Sequence, residues 1–569
     1  AKTAGLPTDR LITQLEITTS TEASGSGMHV RGNRNCHQFV QQTRRRGADL
    51  VGGPHETTTR PRVAGQHHET EGKTMTSEGK TAAGTGDEEV FDVLVIGGGP
   101  GGTPAAMALA QAGRRVVLVE DGPGLGGTCL FEGCIPSKIF RESAFRRAEM
   151  ERAGAFGLDL PQGWTAPVNW STVQARRHHI LAGRSAGALA NARQLPGLEV
   201  VFGRARLTGP RAAMIERQGE APRAVRFGNA ILATGSSPSR LPIPGADLPG
   251  VIDSEGLIGI GFVPETMVLI GGGPVGVEMA QIFAMLGTRV TVLEAASRIL
   301  GPVDATLVEL LAGRLTGAGI CVETGVRVER IEAAEGDGHC VHYSRDGNGK
   351  APSVSAQVVA IVAGRHPNVV GLGLEATGVE HGPHGIAVND QLETTEPGIF
   401  ATGDVVGNPM FAHWATAQAL AVARYILGMP VDFPRPEHNS AVIFSSPEIG
   451  MVGLTEEAAR AAGMDIDVAE YDYRIDARAQ IAGEVLGRLR IVYRRDGRRI
   501  VGIHALVEGA ADLMGEAALA VRNGLTLEQM AASIHPHPTL TEAFGLATRT
   551  ALAGLLAPVV STAIRMESK

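Results

Sequence analysis

The segment Gly126-Gly-Thr-Cys-Leu-Phe-Glu-Gly-Cys-Ile-Pro-Ser-Lys138 sets Cys129 and Cys134 five positions apart. Two cysteines at this spacing can meet near the start of a helix, whose positive end lowers a thiol's pKa. The resulting thiolate can attack a disulfide or donate charge to an oxidised flavin. Two sulfurs with no further clustered Cys or His do not make a zinc site, and no metal is expected. A second chemical grouping is His535-Pro-His-Pro-Thr-Leu-Thr-Glu542. A dithiol that exchanges with a disulfide needs a base, which a histidine supplies near neutral pH. A carboxylate on the other ring nitrogen fixes the tautomer and raises basicity.

Two duplicated elements frame the cysteines. Val90-Phe-Asp-Val-Leu-Val-Ile96 reads as a buried parallel strand. It runs into Gly97-Gly-Gly-Pro-Gly-Gly102, then a helix over Thr103 to Ala112, then a strand Arg115-Val-Val-Leu-Val-Glu120. Gly97, Gly99 and Gly102 fit G-x-G-x-x-G: a tight turn, room for a pyrophosphate against the backbone, and close helix–strand packing. Glu120 is placed to accept hydrogen bonds from ribose hydroxyls. Pro104 is tolerable in a first helical turn. The unit recurs as Thr266–Ile270, Gly271-Gly-Gly-Pro-Val-Gly276, a helix to about Leu286, and Arg289-Val-Thr-Val-Leu-Glu294. Gly271, Gly273 and Gly276 take the same three roles. Two such units imply two dinucleotides. The charge of Glu294 would repel a 2′-phosphate and bond a free ribose diol, favouring NAD over NADP; Arg298, close by, is the residue that argues the other way.

The 569 residues are too many for one core, and three or four domains are expected. A 43% hydrophobic content and a formal charge of −8 describe an ordinary soluble protein with no case for nucleic-acid or anionic-membrane binding. Aromatic residues are only 4%, so burial must rest on Ala, Val, Leu and Ile. Five scattered cysteines do not form a secreted disulfide framework. No uninterrupted apolar stretch reaches the ~18 residues of a membrane span; the run from Ala551 to Ser561 is short and carries Pro558. A cytoplasmic location is expected. Residues 1–88 lack periodicity and read as a disordered extension. Asp9, Glu16 and Glu22 argue against a transit peptide, and the native start is expected near Met75.

The cysteine segment resembles the redox-active motif of the flavoprotein disulfide reductases, and Ile135-Pro-Ser-Lys138 resembles the dihydrolipoamide dehydrogenase branch. Ala233-Thr-Gly-Ser236, Ala363-Gly-Arg-His-Pro-Asn368, Ala401-Thr-Gly-Asp404 and Met410-Phe-Ala-His413 resemble further family segments, in the expected order, so the likeness covers about residues 89–550. It implies an α/β fold with two Rossmann-like domains, for FAD and NAD, and a C-terminal α+β dimerisation domain. The implied bounds are 89–236 and 365–436 for the two parts of the FAD domain, 237–364 for the NAD domain and 437–569 for dimerisation. The same likeness makes Cys129 the interchange thiol, Cys134 the charge-transfer thiol, Lys138 the lysine near flavin N5 and Glu278 its ion-pair partner. His537 with Glu542 becomes the acid–base pair, completing the other subunit's site in a homodimer, and His535 is left structural.

By resemblance, FAD is further contacted by Gly127, Thr128, Ala205, Ala233, Thr234, Gly235, Asp404, Met410, Ala412 and His413, and NAD by Glu278, Val326 and Gly364. The implied reaction is oxidation of protein-bound dihydrolipoamide through the cysteine pair and FAD, with NAD+ reduced. The implied partner is the lipoyl domain of a 2-oxoacid dehydrogenase or glycine cleavage complex. Phe131 and Glu132 replace the usual Asn-Val of the motif, and Trp414 stands where lysine is common. Glutathione- and mercuric-reductase-like enzymes and a non-catalytic flavoprotein scaffold are the alternatives. Mercuric reductase expects a C-terminal cysteine pair, and no cysteine follows Cys340.

Overall fold

The computed structural model describes residues 89–161, 164–334, 338–345 and 352–567, with side chains to 555. The disordered-extension reading and the start near Met75 lie outside the described residues.

The first dinucleotide unit builds a sheet in the order Leu198–Phe202, Val116–Glu120, Glu89–Ile96, Arg223–Leu232, followed by the antiparallel arm Ala212–Glu216 and Arg204–Gly209. The first four strands run parallel. Every residue of Val116–Glu120 is buried, as expected for a strand covered by helices on both faces. The glycine loop leads into the helix Thr103–Gln111, with Pro104 in its first turn. Strand and helix ends fall within a residue or so of the sequence expectation, the usual margin at frayed termini.

The second unit repeats the order: Cys321–Thr324, Arg289–Glu294, Thr266–Ile270, Val358–Ile361, with Val251–Asp253 added at the edge, all parallel. Its helix, Pro274–Met285, is buried without a break from Gly276 to Phe283. Both units therefore place the crevice where strand order reverses beside the first glycine loop. Chain that follows the second unit returns to the first sheet: Ile399–Ala401 pairs with Arg223–Leu232. That return carries Thr402 to Gly101, with the Thr402 hydroxyl donating to the Gly101 carbonyl at 2.9 Å.

A third, antiparallel sheet orders Ser440–Ile443, Ile449–Gly453, Ile500–Leu506, Arg488–Arg494 and Ile466–Asp472. Helices Ala510–Asn523 and Glu542–Glu567 belong to this C-terminal part. The last helix includes the apolar run from Ala551 and continues through Pro558. No helix among the described residues is long and apolar enough to cross a membrane.

Candidate active site

Each glycine loop passes a test that packing alone sets. A Cβ on Gly102 would collide with the Gly97 carbonyl, and one on Gly276 with the Gly271 carbonyl. Gly97 and Gly271 adopt φ of +109° and +122°, and Cβ atoms there would strike backbone of Ala233 and Val362. The middle glycines differ. A Cβ on Gly99 would only touch the Gly127 Cα at 3.5 Å, and one on Gly273 would meet nothing within 4 Å. Protein packing does not require glycine at either place; a side chain would fill only space over the helix N-terminus. Both helices start at a glycine with no side-chain cap, whereas Asp253, Asp304 and Thr455 cap theirs. Uncapped helix starts and a clear approach fit a pyrophosphate, with the Gly102 and Thr103 N–H groups donating to the Gly99 carbonyl within the first loop. The residues present therefore fit FAD at the first unit and NAD at the second.

The strand-ending acids do more than face a ribose. Glu120 accepts from Gly98 N–H, in its own glycine loop, and from Gly122 N–H. Glu294 accepts from Gly272 N–H at 2.6 Å and Ala296 N–H at 2.7 Å. Burial pushes the Glu120 carboxyl above its ordinary pKa, against the two N–H donors. Arg298 is turned to its own loop: it donates to the carbonyls of Gly301 at 2.6 Å and Val303 at 3.3 Å, and lies 3.5 Å from Glu457. Past the third strand of each unit, Ala205 lies in the strand Arg204–Gly209 two residues after Gly203, and Val326 lies two residues after Thr324. Gly203 N–H donates to the Glu120 carbonyl, and Val326 N–H to that of Glu294.

Cys134 is the first residue of the helix Cys134–Glu151, and Cys129 lies in the short preceding helix Gly127–Phe131, which also holds Thr128. Both thiols are free, and they hydrogen-bond each other with unequal consequences. The hydrogen bond from Cys129, assisted by the Lys138 charge, lowers the Cys134 thiol to about 7 against the opposing effect of burial. The same bond, with burial, pushes Cys129 far up, so it is the donor that stays protonated. Lys138 Nζ pairs with Glu278 Oε2 at 2.8 Å. Glu278 is nearly buried on the helix Pro274–Met285 and accepts from Phe444 N–H at 2.9 Å. Residues 140 positions apart thus meet because the two helices lie side by side.

Asp404 sits in the turn Gly403–Val406. Its carboxylate accepts from the Ser236 hydroxyl at 2.6 Å, and Arg365 donates to that hydroxyl at 2.8 Å. Thr234 and Asn368 exchange hydrogen bonds, Thr234 Oγ1 to the Asn368 carbonyl at 2.8 Å and Asn368 Nδ2 back at 3.1 Å. This ties Ala233, Thr234 and Gly235 to the segment after Gly364, whose carbonyl accepts from Ser239 N–H. Met410 precedes the helix Ala412–Ile426, which carries exposed His413, stacked on Phe411 with ring centroids 5.4 Å apart. His413 Nε2 lies 2.6 Å from the Ser440 carbonyl. Trp414 is buried, so this departure is a packing residue that leaves no cation in the loop. Glu132 is compensated differently: burial and the neighbouring Glu255, with which it shares a hydrogen bond, raise its pKa, and Arg365 opposes them. Sequence reasoning did not single out Phe444 or Arg141, which stand in no chemically marked pattern, and it gave Arg365 and Ser236 no role of their own within the family segments that hold them.

The two histidines separate by environment. His535 is 8% exposed, with Nε2 at 2.8 Å from Glu516. His537 is 72% exposed, with Nδ1 at 3.1 Å from each Glu542 oxygen. Thr539 N–H, then His537, hold the Glu542 carboxyl below its ordinary pKa. An imidazole so oriented leaves Nε2 free towards solvent to take a proton. This pair is a cluster of its own, joined to the cysteines by no hydrogen bond or ion pair among the described residues.

Residues 91–419 match the family described as pyridine nucleotide-disulphide oxidoreductase, and residues 439–548 match its dimerisation domain. The chain belongs to this family. Dihydrolipoyl dehydrogenases of Bacillus subtilis and Geobacillus stearothermophilus are each 34% identical to it. The alignments cover 79% of this chain and 96% and 94% of those proteins. Among solved structures, the Cu(II) complex of the HOCl-induced flavoprotein disulfide reductase RclA from Escherichia coli superposes with a TM-score of 0.72 at 26% identity, covering 81% of this chain and 99% of RclA. LpdA from Mycobacterium tuberculosis shares the fold at a TM-score of 0.74 and 24% identity, with the same coverage. The chain is thus an oxidoreductase of a family that uses FAD and NAD(H), with a domain that supports a homodimer. No group of three or more His, Cys, Asp or Glu among the described residues could hold a metal.

Proposed function

We propose that the chain oxidises dihydrolipoamide, carried on the lipoyl domain of a 2-oxoacid dehydrogenase or glycine cleavage complex, and reduces NAD+. The observation that carries this reading is the unequal dithiol: a Cys134 thiol near pKa 7 at a helix start, beside the Lys138–Glu278 pair, hydrogen-bonded by a protonated Cys129. The dihydrolipoyl dehydrogenase relatives and Ile135-Pro-Ser-Lys138 support lipoamide as substrate. The braced Glu294 and the self-satisfied Arg298 support NAD over NADP.

The chain's own groups account for the thiol chemistry. One substrate thiol gives its proton to His537 and attacks Cys129 Sγ of the oxidised pair. The Cys129–Cys134 bond breaks, and Cys134 leaves as a thiolate held by the helix start and Lys138. His537 releases its proton to solvent, takes the proton of the second substrate thiol as that sulfur attacks the substrate sulfur of the mixed disulfide, and returns it to Cys129 as that thiol leaves. Cyclic disulfide leaves, and Cys129 departs with the electron pair. Gly97, Gly99, Gly102, Glu120 and Asp404 would hold FAD, and Gly271, Gly273, Gly276 and Glu294 would hold NAD. FAD when bound supplies the two-electron relay from the dithiol to NAD+. Because His537 is exposed in the single chain, its pair with Glu542 is assigned to the site of the other subunit in the dimer.

A second reading, an NAD(P)H-dependent disulfide reductase working in the opposite direction, is favoured by the likeness to RclA and by Glu132 inside the motif. Steady-state turnover with NAD+ and dihydrolipoamide, beside NADPH and glutathione disulfide, separates them. Turnover with the first pair is expected; activity with the second pair alone would overturn both substrate and coenzyme.

A further inference from the structure

The Lys138–Glu278 pair rests on a short segment of the dimerisation domain, Phe444-Ser445-Ser446, that no chemical motif marks. One residue there touches both members of the pair. Phe444 N–H donates to Glu278 Oε1 at 2.9 Å, and Lys138 Nζ lies over the Phe444 ring, 4.5 Å from its centroid. The segment is itself gripped from two helices. On the helix of Cys134, one turn past Lys138, Arg141 donates from Nε to the Phe444 carbonyl at 3.0 Å and from Nη2 to that of Ser445 at 3.1 Å. The Arg141 guanidinium is anchored in turn by Glu508 at 2.7 Å and Glu448 at 3.2 Å. On the helix of Glu278, one turn on, buried Gln281 closes a two-way exchange with Ser446: Ser446 N–H to Oε1 at 2.9 Å, and Nε2 to the Ser446 carbonyl at 2.8 Å.

A buried carboxylate needs its remaining oxygen satisfied, and an ammonium beside it gains from an aromatic face. Phe444 supplies both, and Arg141 and Gln281 deny it freedom to move. Lys138 itself is about a third exposed, so without the ring its long side chain has solvent-facing rotamers to adopt. We propose that Phe444, fixed by Arg141, is a positioning residue for the Lys138 ammonium, through which the dimerisation domain sets the charge beside Cys134. This rests on the role given to Cys134 under the proposed function. It goes beyond that reading by placing a control of the thiol in a third domain.

The test is the pH profile of Cys134 in the reduced holoenzyme, read by its rate of iodoacetamide alkylation, resolved by peptide mass spectrometry, and by the long-wavelength charge-transfer absorbance. Phe444→Leu keeps the N–H and most of the bulk but removes the ring. It is expected to raise the midpoint pH and slow Cys134 alkylation at neutral pH about threefold or more, the scale of one partly exposed cation–π contact. Phe444→Tyr, which restores a ring face, should return both readouts to wild type. On a Lys138→Met background, Phe444→Leu should add nothing. Should the Leu variant fail to fold, Phe444→Met carries the same expectation. A wild-type profile in Phe444→Leu, or a shift that persists on the Lys138→Met background, would overturn the proposal. Turnover with dihydrolipoamide is measured separately on the wild type. If it is absent while the Phe444 effect holds, the substrate reading fails and the positioning role stands.

Discussion

Removing the Cys129 sulfur tests the central asymmetry of the site. The main influences on the Cys134 thiol, in decreasing order, are these: the Cys129 hydrogen bond lowers its pKa, burial raises it, Lys138 lowers it, Glu278 raises it, and a backbone hydrogen bond lowers it. With Cys129 gone, burial outweighs Lys138 and Glu278 outweighs the backbone bond, so the remaining balance is upward. Cys129→Ala should therefore move the Cys134 midpoint from about 7 to at least the ordinary thiol value of ~8.5. The sign is plain: a thiol ionises as pH rises through its pKa, so raising the pKa removes thiolate at neutral pH. At pH 7 the ionised fraction would fall from about one half to about 3%, roughly a fifteenfold loss. Cys129→Ser, whose hydroxyl can still donate, should stay within about one pH unit of the wild type. The assay is the pH dependence of Cys134 alkylation in reduced holoenzyme; bound FAD acts on every variant alike and drops out of the comparison. A Cys129→Ala midpoint still near pH 7 would show that the helix start and Lys138 ionise Cys134 unaided, and the argument from the coupled pair would be wrong.

Other parts of the site make independent expectations. His537→Gln should lower turnover by about 10²–10⁴ while leaving flavin absorbance and the Cys134 pH profile unchanged, as steady-state and alkylation assays would show. Gly102→Ala puts a Cβ into the Gly97 carbonyl; the loop must open, and the purified protein should carry clearly less flavin per chain by absorbance. Arg490 is buried against Asp304, which is wholly inaccessible, and also pairs with Glu456 and with Glu470 at 2.8 Å. Arg490→Met strands Asp304 and should cost about 3–5 kcal/mol in urea unfolding, part of it recovered by adding Asp304→Asn.

The two Rossmann units were legible because their signals are local. Strand, glycine loop, helix and acid follow within some thirty residues, and the first and last glycines of each motif answer a backbone constraint that a Cβ would violate. The helix start at Cys134 was legible from the cysteine spacing for the same reason. What stayed hidden is long-range. Nothing near Glu278 in sequence announces Phe444, 166 positions away, since a phenylalanine after an apolar strand looks like core. Arg365 lies in a family segment but has no partner readable from sequence until the return strand Ile399–Ala401 brings Asp404 and Ser236 to it. The opposite environments of His535 and His537 also come from tertiary packing. They stand two residues apart in a proline-rich stretch, and the placement of Glu516 and Phe544 against His535 sets its environment apart.

The duplicated acids change how coenzyme choice should be understood. Glu120 and Glu294 each bind the second glycine of their own loop and a backbone N–H two residues on. The carboxylate that would repel a 2′-phosphate is therefore also a brace of the loop meant to receive the pyrophosphate. Replacing Glu294 by a basic residue would remove repulsion and brace together, leaving Gly272 N–H without its acceptor, so a gain for NADPH would be offset by a looser phosphate cradle. A carboxylate carries two oxygens with spare lone pairs, which is what lets one residue hold the loop and still accept from a ribose diol. The proposed preference for NAD would then be built into the fold of the second unit as well as into the charge of one side chain.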